Sequence, residues 1–132
     1  MKYIYPALII KEKDGFIVRF PDLDDTFTDG NTLDEAYKNA EDVLNLMLWD
    51  KEEDNCVIPK PSSIDDIEVP ENATIALIKA DTLEYRKAND TKSIRKNVSI
   101  PSWLNTLATS KNINFSNLLQ NALMHELGVD NK

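Results

Sequence analysis

Short apolar segments separated by turn residues fill the N-terminal part of the sequence. Lys2–Ile10 is apolar at odd and even positions alike, which is typical of an inner strand of a sheet. Asp14-Gly15 predicts a hairpin turn, because glycine tolerates the positive φ of tight turns, and residues 16–20 predict the returning strand. Residues 21–25 predict a turn, and residues 26–28 predict a short third strand.

An amphipathic helix is predicted next. Thr32 and Glu35 have the spacing of a capping box, in which each side chain binds a backbone amide at the start of a helix. Apolar residues then recur at helical spacing, which predicts a helix to about Asp50 that covers one face of the sheet. These apolar positions are Leu33, Ala36, Tyr37, Ala40, Val43, Leu44, Met47 and Leu48.

The region after this helix returns to strand. Residues 51–72 begin with acidic side chains and are interrupted by proline, which predicts a long irregular connection. Residues 73–80 predict a fourth strand, and residues 82–85 predict a single helical turn. We expect a right-handed crossover to lay the fourth strand beside the first. The N-terminal part is therefore predicted as a β-β-β-α-β unit.

The C-terminal part begins with a strict alternation over residues 94–101, which predicts a strand with two different faces. The apolar face carries Ile94, Val98 and Ile100, and the polar face carries Arg95, Asn97 and Ser99. Pro101-Ser102 predicts the end of the strand and the start of a helix. Lys111-Asn112 predicts the end of that helix, Asn114 the start of a second, and Gly128 its stop.

Such a β-α-α unit is incomplete alone, because its strand has unpaired edges and about 40 residues bury too small a core. Two copies that pair their strands antiparallel remove both problems. The resulting ribbon fits the major groove of double-stranded DNA. Arg95 would suit guanine, Asn97 would suit adenine, and Ser99 would tolerate several bases. The sequence thus predicts a homodimer that binds DNA through this unit.

Phosphate contacts are expected beside the base contacts. The start of the second predicted helix suits a phosphate, because helix N-termini attract anions, and Asn114, Phe115 and Ser116 lie there. Lys96 and Lys111 would add contacts to the DNA backbone that weaken with salt.

Charge is distributed unevenly along the 132 residues. Residues 1–91 hold 10 Lys+Arg against 21 Asp+Glu, a net charge of −11, whereas residues 92–132 hold 5 against 2, a net charge of +3. An acidic body attracts a basic partner and repels nucleic acid, and the basic end does the reverse. In the simplest alternative interpretation, the acidity only confers solubility.

Several classes of function are disfavoured. Cys56 is the only cysteine and lacks a neighbouring base, so neither a disulfide framework nor a thiol nucleophile is expected, and a reducing cytoplasm fits. None of the three glycines forms a nucleotide-binding fingerprint, and we expect His125 to be a packing or surface residue rather than a catalytic one. We expect no cofactor, no metal and no enzymatic activity. We expect neither a membrane span nor a leader peptide, because the apolar runs are short and no basic-then-apolar segment opens the sequence.

The C-terminal pattern resembles the ribbon-helix-helix repressor family over residues 93–128. In that family the outward strand positions read the bases, and they correspond to Arg95, Asn97 and Ser99. The alternative interpretation is a dimerising helix pair that binds no DNA.

The N-terminal part is similar to the HicB antitoxin domain, a partial RNase H-like fold, over residues 3–48. The matching segments are Tyr5–Leu8, Gly15–Leu23 and Thr28–Ala36, followed by a helix with Asn39-Ala40 and Leu44. Asp24-Asp25 replaces the Pro-Gly pair usual in the family. The resemblance implies an antitoxin whose partner is a HicA-like toxin, a small basic RNA-cleaving protein that this domain occludes, and which represses its own operon by binding operator DNA.

Together these patterns predict an α+β protein with a HicB-like toxin-binding domain at 1–85, a linker at 86–92 and a ribbon-helix-helix domain at 93–132. The candidate toxin contacts are the clustered aspartates Asp22, Asp24, Asp25 and Asp29. We expect a homodimer through the C-terminal domain, and association into tetramers stays open. Two alternatives remain: a repressor that responds to a ligand or to another protein, and a weak metal-dependent nuclease, which crowded aspartates in one turn disfavour.

Overall fold

The computed structural model describes residues 1–129, which divide into two compact units between Lys92 and Ser93. The last three residues of the predicted C-terminal domain, 130–132, lie outside the described residues. The N-terminal unit contains both strands and helices, whereas the C-terminal unit contains two helices. The chain as a whole is α+β, as predicted.

The N-terminal unit is a four-stranded sheet with helices against it. Its elements are β1 (Lys2–Glu12), β2 (Gly15–Phe20), β3 (Leu23–Gly30), α1 (Leu33–Glu53), a 3₁₀ turn (Ile64–Asp66), β4 (Ala73–Asp81) and α2 (Thr82–Asn89). The strand order is β3-β2-β1-β4, and each neighbouring pair is antiparallel. The first strand thus has the inner position that its apolar faces predicted.

The fourth strand does lie beside the first, but it runs antiparallel to it, with Pro6 opposite Leu77. The right-handed crossover rule concerns parallel strands, and the expectation of such a connection was therefore wrong. The third strand begins at Leu23 rather than Thr26, so the predicted five-residue turn shrinks to Pro21 and Asp22. A register shift beside Phe20 accommodates the extra residues of β3 as a bulge.

The core lies between the sheet and α1. The inward side chains of β1 are Tyr5, Ala7 and Ile9, and the buried stripe of α1 is Ala36, Ala40, Leu44 and Leu48. Thr32 caps α1 by accepting a hydrogen bond of 3.1 Å from the amide of Glu35. Gly30 lets the helix start close to the sheet: a Cβ there would lie 2.4 Å from the amide nitrogen of Ala36. The opposite face of the sheet has no helix over it in the N-terminal unit.

Side-chain contacts between helices extend α2 beyond the predicted single turn, to Asn89, and so into the segment predicted as a linker. Trp49 of α1 meets Tyr85 edge to face, with ring centroids 5.8 Å apart, and the Arg86 guanidinium lies 5.7 Å from the Trp49 ring centroid. Asp81 caps α2 through the amide of Glu84. Packing against α1 therefore adds a turn that local sequence does not indicate.

The C-terminal unit contains α3 (Ser102–Ser110) and α4 (Phe115–Leu127), at the positions predicted. Residues 90–101 form neither helix nor strand within the single chain, so the strand predicted at 94–101 has no pairing partner here. Asn112 takes a positive φ of 54° in the turn between the helices. Among the residues described, no helix is both long and apolar enough to cross a membrane.

Candidate functional site

The four candidate aspartates differ in their contacts. The Asp22 carboxylate accepts a hydrogen bond of 2.9 Å from the backbone amide of Ser62 and another from its hydroxyl. Asp22 thereby holds the long connection between α1 and β4 against the end of β2. We conclude that its first role is structural.

Asp25 lies within 3.5 Å of the Lys51 ammonium, near the C-terminal end of α1. Its side chain is more than half exposed, so the ion pair contributes little to stability and leaves the carboxylate accessible. This end of α1 and the chain that follows are strongly acidic. The acidic residues there are Asp50, Glu52, Glu53 and Asp54.

Asp24 and Asp29 lie elsewhere, at the side of the sheet that α1 does not cover. They line a depression of about 750 Å³ together with Arg19 and Phe27. Both aspartates and Arg19 are exposed, and none of the three forms an ion pair within the described part of the chain. These charges are available to another molecule.

A polar cluster around Glu52 was not foreseen from the sequence. The Glu52 carboxylate accepts hydrogen bonds from Tyr3 Oη at 2.7 Å, Thr82 Oγ1 at 3.0 Å and Arg86 Nη2 at 3.0 Å. Burial disfavours the charged carboxylate, but these three donors outweigh it and lower the pKa of Glu52. Burial, and then the bond to Glu52, raise the pKa of Tyr3 to about 12. The cluster joins β1, α1 and α2 and serves the fold.

The predicted base-reading residues Arg95, Asn97 and Ser99 are all exposed and lie in the segment that has no helix or strand. Lys96 and Lys111 are exposed as well. The single chain therefore presents these side chains without fixing them on a strand.

The start of α4 is capped from within. Asn114 accepts a hydrogen bond of 3.1 Å from the amide of Asn117, so its side-chain oxygen is already engaged. In the described residues, the amides of Phe115 and Ser116 have no acceptor. These two amides can therefore still donate hydrogen bonds. They are the groups at this helix that remain available for the predicted phosphate contact.

The C-terminal unit leaves its apolar side chains exposed. Neither α3 nor α4 has a buried residue, and Leu107 is 55% exposed. One apolar groove of about 380 Å³ runs along both helices. Its lining is Ile100, Leu104, Leu107, Ala108, Lys111, Ile113, Phe115 and Leu118. Exposed apolar surface of this extent is typical of a protein interface.

No group of three or more acidic, histidine or cysteine side chains within residues 1–129 is arranged to hold a metal ion. Cys56 is exposed.

Comparison with known proteins finds both solved structures and curated sequences that are similar to this chain. The chain aligns with a chain of a toxin–antitoxin complex from Streptococcus pneumoniae at a TM-score of 0.62 and 24% identity, over 96% of this chain and 99% of that one. It aligns with a chain of a HicA3 and HicB3 toxin–antitoxin complex at a TM-score of 0.50 and 30% identity, over 60% of this chain and 99% of that one. The first of these likenesses concerns the fold alone.

Among curated sequences, the chain is 32% identical to antitoxin HicB 2 of Photorhabdus laumondii over 88 residues, which are 64% of this chain and 63% of that protein. It is 36% identical to a protein of Haemophilus phage HP1 over 62 residues, 47% of each chain. The chain thus matches less than two thirds of the length of either relative.

The family comparison covers far more of the chain. The sequence model described as the HicB-like antitoxin of bacterial toxin–antitoxin systems matches residues 5–122, across the sheet, α1, α2, α3 and the first part of α4. The chain therefore belongs to the HicB-like antitoxin family.

Proposed function

We propose that this chain is an antitoxin that binds and occludes a HicA-like RNA-cleaving toxin through its N-terminal unit and represses its own operon through its C-terminal unit. The observation that carries this proposal is the match of the family to residues 5–122, which includes both units. Blocking a protein surface requires no chemistry from the antitoxin, so no catalytic residue and no cofactor enter the proposal.

Charge supports a basic toxin as the partner of the N-terminal unit. The net charge of −11 over residues 1–91 attracts a basic, RNA-binding surface over distances of about 10 Å at moderate salt. The end of α1 and the residue after it carry three exposed carboxylates, those of Asp50, Glu53 and Asp54, and the exposed Asp25 lies near them. We assign the toxin contact to that region, and Asp22 to holding the loop beside it.

The C-terminal unit supports homodimerisation and operator binding. A second copy would cover the apolar groove of α3 and α4 and pair residues 94–101 into the two-stranded ribbon of the ribbon-helix-helix proposal. Pairing would place Arg95, Asn97 and Ser99 of both chains on one face. The amides of Phe115 and Ser116, with Lys96 and Lys111, would contact phosphates.

Two measurements test the two halves separately. In the first, the full tagged chain is expressed with its native locus and purified, and the retained proteins are identified by mass spectrometry. We expect a stoichiometric basic protein of fewer than about 100 residues. Recovery of the chain alone would contradict the antitoxin half.

In the second measurement, the full chain is titrated onto double-stranded DNA from upstream of its own gene and onto unrelated DNA of equal length. We expect at least about a thousandfold preference for the upstream DNA. Equal affinity for both would contradict the repressor half and leave the toxin half standing.

A further inference from the structure

The side of α1 that points away from the sheet carries an apolar residue among carboxylates. Leu46 lies there and is 46% exposed, whereas Leu44 and Leu48 of the same helix are completely buried. An exposed leucine alone is ordinary on a protein surface, so the residues around it decide its role. By helical spacing, the stripe opposite the buried one is formed by Glu35, Lys38, Asp42, Leu46, Trp49 and Glu53.

Unpaired carboxylates flank Leu46 along the helix. Asp42 lies one turn before it and Asp50 one turn after it, at the spacing that makes side chains neighbours on a helix surface. Both are exposed, and neither forms an ion pair within residues 1–129. Asp42 accepts a hydrogen bond of 3.3 Å from the neutral hydroxyl of Tyr85, which leaves its charge uncompensated. A partner that covers Leu46 is therefore favoured if it brings positive charge to both sides of it.

Trp49 follows Leu46 by three positions on this stripe, and contacts with α2 hold it in place. Its ring meets Tyr85 edge to face, with centroids 5.8 Å apart, and the Arg86 guanidinium lies 5.7 Å from its centroid. Its indole N–H donates a hydrogen bond of 3.2 Å to Glu53. A side chain that is ordered before binding loses little conformational entropy when a partner packs on it. Tryptophan within a polar rim is also typical of the residues that carry most of the binding energy at protein interfaces.

We propose that Leu46 and Trp49 form the apolar centre of the surface that binds the basic toxin, with Asp42 and Asp50 as its charged rim. This role of α1 rests on the proposed function and divides the contact into two parts. The rim attracts the basic partner and sets the rate of association, whereas the centre, once water is excluded, sets the rate of dissociation. The partner has an apolar side chain at this contact, with lysine or arginine residues around it.

The centre is tested by the kinetics of the full-length chain with the basic protein that co-purifies with it, for the wild type and for Leu46→Ala. Leu46 is about half exposed and alanine favours a helix, so the fold is retained. We expect Leu46→Ala to dissociate at least about tenfold faster, with an association rate within about twofold of the wild type. Leu33→Ala is the matched control, at the 53% exposed first residue of the same helix, and should dissociate like the wild type.

The rim is tested separately by removing one charge. Asp50→Asn should slow association at least about twofold at low salt and change dissociation less, because one attracting charge is lost. Asp66→Asn, at an exposed aspartate of the 3₁₀ turn, is the matched control and should change neither rate. If both variants slow association equally, the net charge of the unit attracts the toxin and the rim is overturned.

A photo-crosslink identifies what covers this side of the helix. With Leu46 replaced by benzoylphenylalanine in the full chain, we expect a crosslink to the basic protein, and none when Leu33 is replaced instead. A crosslink from position 46 to a second copy of the chain would overturn the assignment.

Failure of this proposal and failure of the proposed function give different results. If the wild type binds the toxin and Leu46→Ala dissociates no faster than Leu33→Ala, the apolar centre is overturned and the proposed function stands. If the wild type retains no basic protein at all, the proposed function fails and the role of Leu46 with it.

Discussion

The Tyr3 hydroxyl donates a hydrogen bond of 2.7 Å to the Glu52 carboxylate, which joins the first strand to the last turn of α1 across 49 positions of sequence. Because Thr82 and Arg86 donate to the same carboxylate, one ionised side chain fixes the ends of three elements. An ionised group held in this way makes the stability of the fold depend on pH.

Acid should destabilise the N-terminal unit through Glu52. Its pKa in the folded chain lies below the unfolded value of 4.5. The stabilisation is therefore complete above pH 4.5 and is lost as the pH falls through the lower, folded pKa. Glu52→Gln should lower the free energy of unfolding at pH 7 by about 1–3 kcal/mol, since one charged acceptor of three hydrogen bonds is lost. Urea titrations between pH 7 and pH 3 measure this.

The matched control for that prediction is Glu53→Gln, because Glu53 is more exposed and its carboxylate accepts from Arg86 and from Trp49 of its own helix, but from no strand. Its effect should be at most about 1 kcal/mol. Equal acid sensitivity of the wild type and Glu52→Gln would show that other carboxylates govern the acid transition.

Gly30 should not tolerate a side chain. A Cβ would lie 2.4 Å from the backbone nitrogen of Ala36 and 2.6 Å from its Cα, so the start of α1 would have to move. We expect Gly30→Ala to cost about 1–3 kcal/mol, as overpacking does in well-packed cores. Gly128→Ala, at a φ of +70° with open space around the Cβ, is the comparison and should cost about 1 kcal/mol. Thermal unfolding measures both, and a smaller loss at Gly30 than at Gly128 would refute the steric account.

Arg95 and Lys111 should affect DNA binding differently. Arg95→Ala should cost about 1–3 kcal/mol on the operator and relax preference at one base position. Lys111→Ala should weaken all sequences alike and lower the salt dependence, because it removes a phosphate contact. Titrations of operator and scrambled DNA at several salt concentrations separate the two. An unchanged operator affinity in Arg95→Ala would remove Arg95 from the base readers.

Toxin binding should depend on the acidic end of α1. Asp25→Lys combined with Asp50→Lys should slow association at least about tenfold at low salt and make the rate less dependent on salt, because steering is lost. Asp24→Lys combined with Asp29→Lys makes the same change of charge on the open sheet face and should change toxin association less. Stopped-flow mixing with the purified toxin compares them, and a larger effect of the second pair would move the toxin contact to the sheet.

Apolar periodicity, together with turn and capping residues, predicted β1, β2, α1, β4, α3 and α4. The start of β3 was missed because Asp24 and Asp25 have low strand propensity; they lie in the bulge between Leu23 and Phe27, which do pair with β2. The length of α2 was missed because it depends on Trp49 and the Glu52 cluster. Local sequence carries no signal for bonds such as Asp22 to Ser62, which join residues 40 positions apart.

The same difference between local pattern and long-range contact applies to the candidate site. The two faces assigned to residues 94–101 stay a prediction, because this segment forms no strand in the single chain and its apolar residues are exposed like its polar ones. The prediction from sequence grouped Asp22, Asp24, Asp25 and Asp29 by their proximity in the chain, whereas in the structure Asp22 binds Ser62, Asp25 pairs with Lys51, and Asp24 and Asp29 line one depression. The base-reading, phosphate-binding and toxin-binding roles stay predictions.

The absence of any buried side chain in α3 and α4 of the single chain has a consequence for gene control. A unit whose core forms only between two chains is stabilised by mass action, so its folded population rises with protein abundance. Under the proposed function, operator occupancy would then increase at least with the square of chain concentration at low levels. Repression would have a threshold. The promoter would stay active while the antitoxin is scarce and would be repressed over a narrow range of concentration once it accumulates.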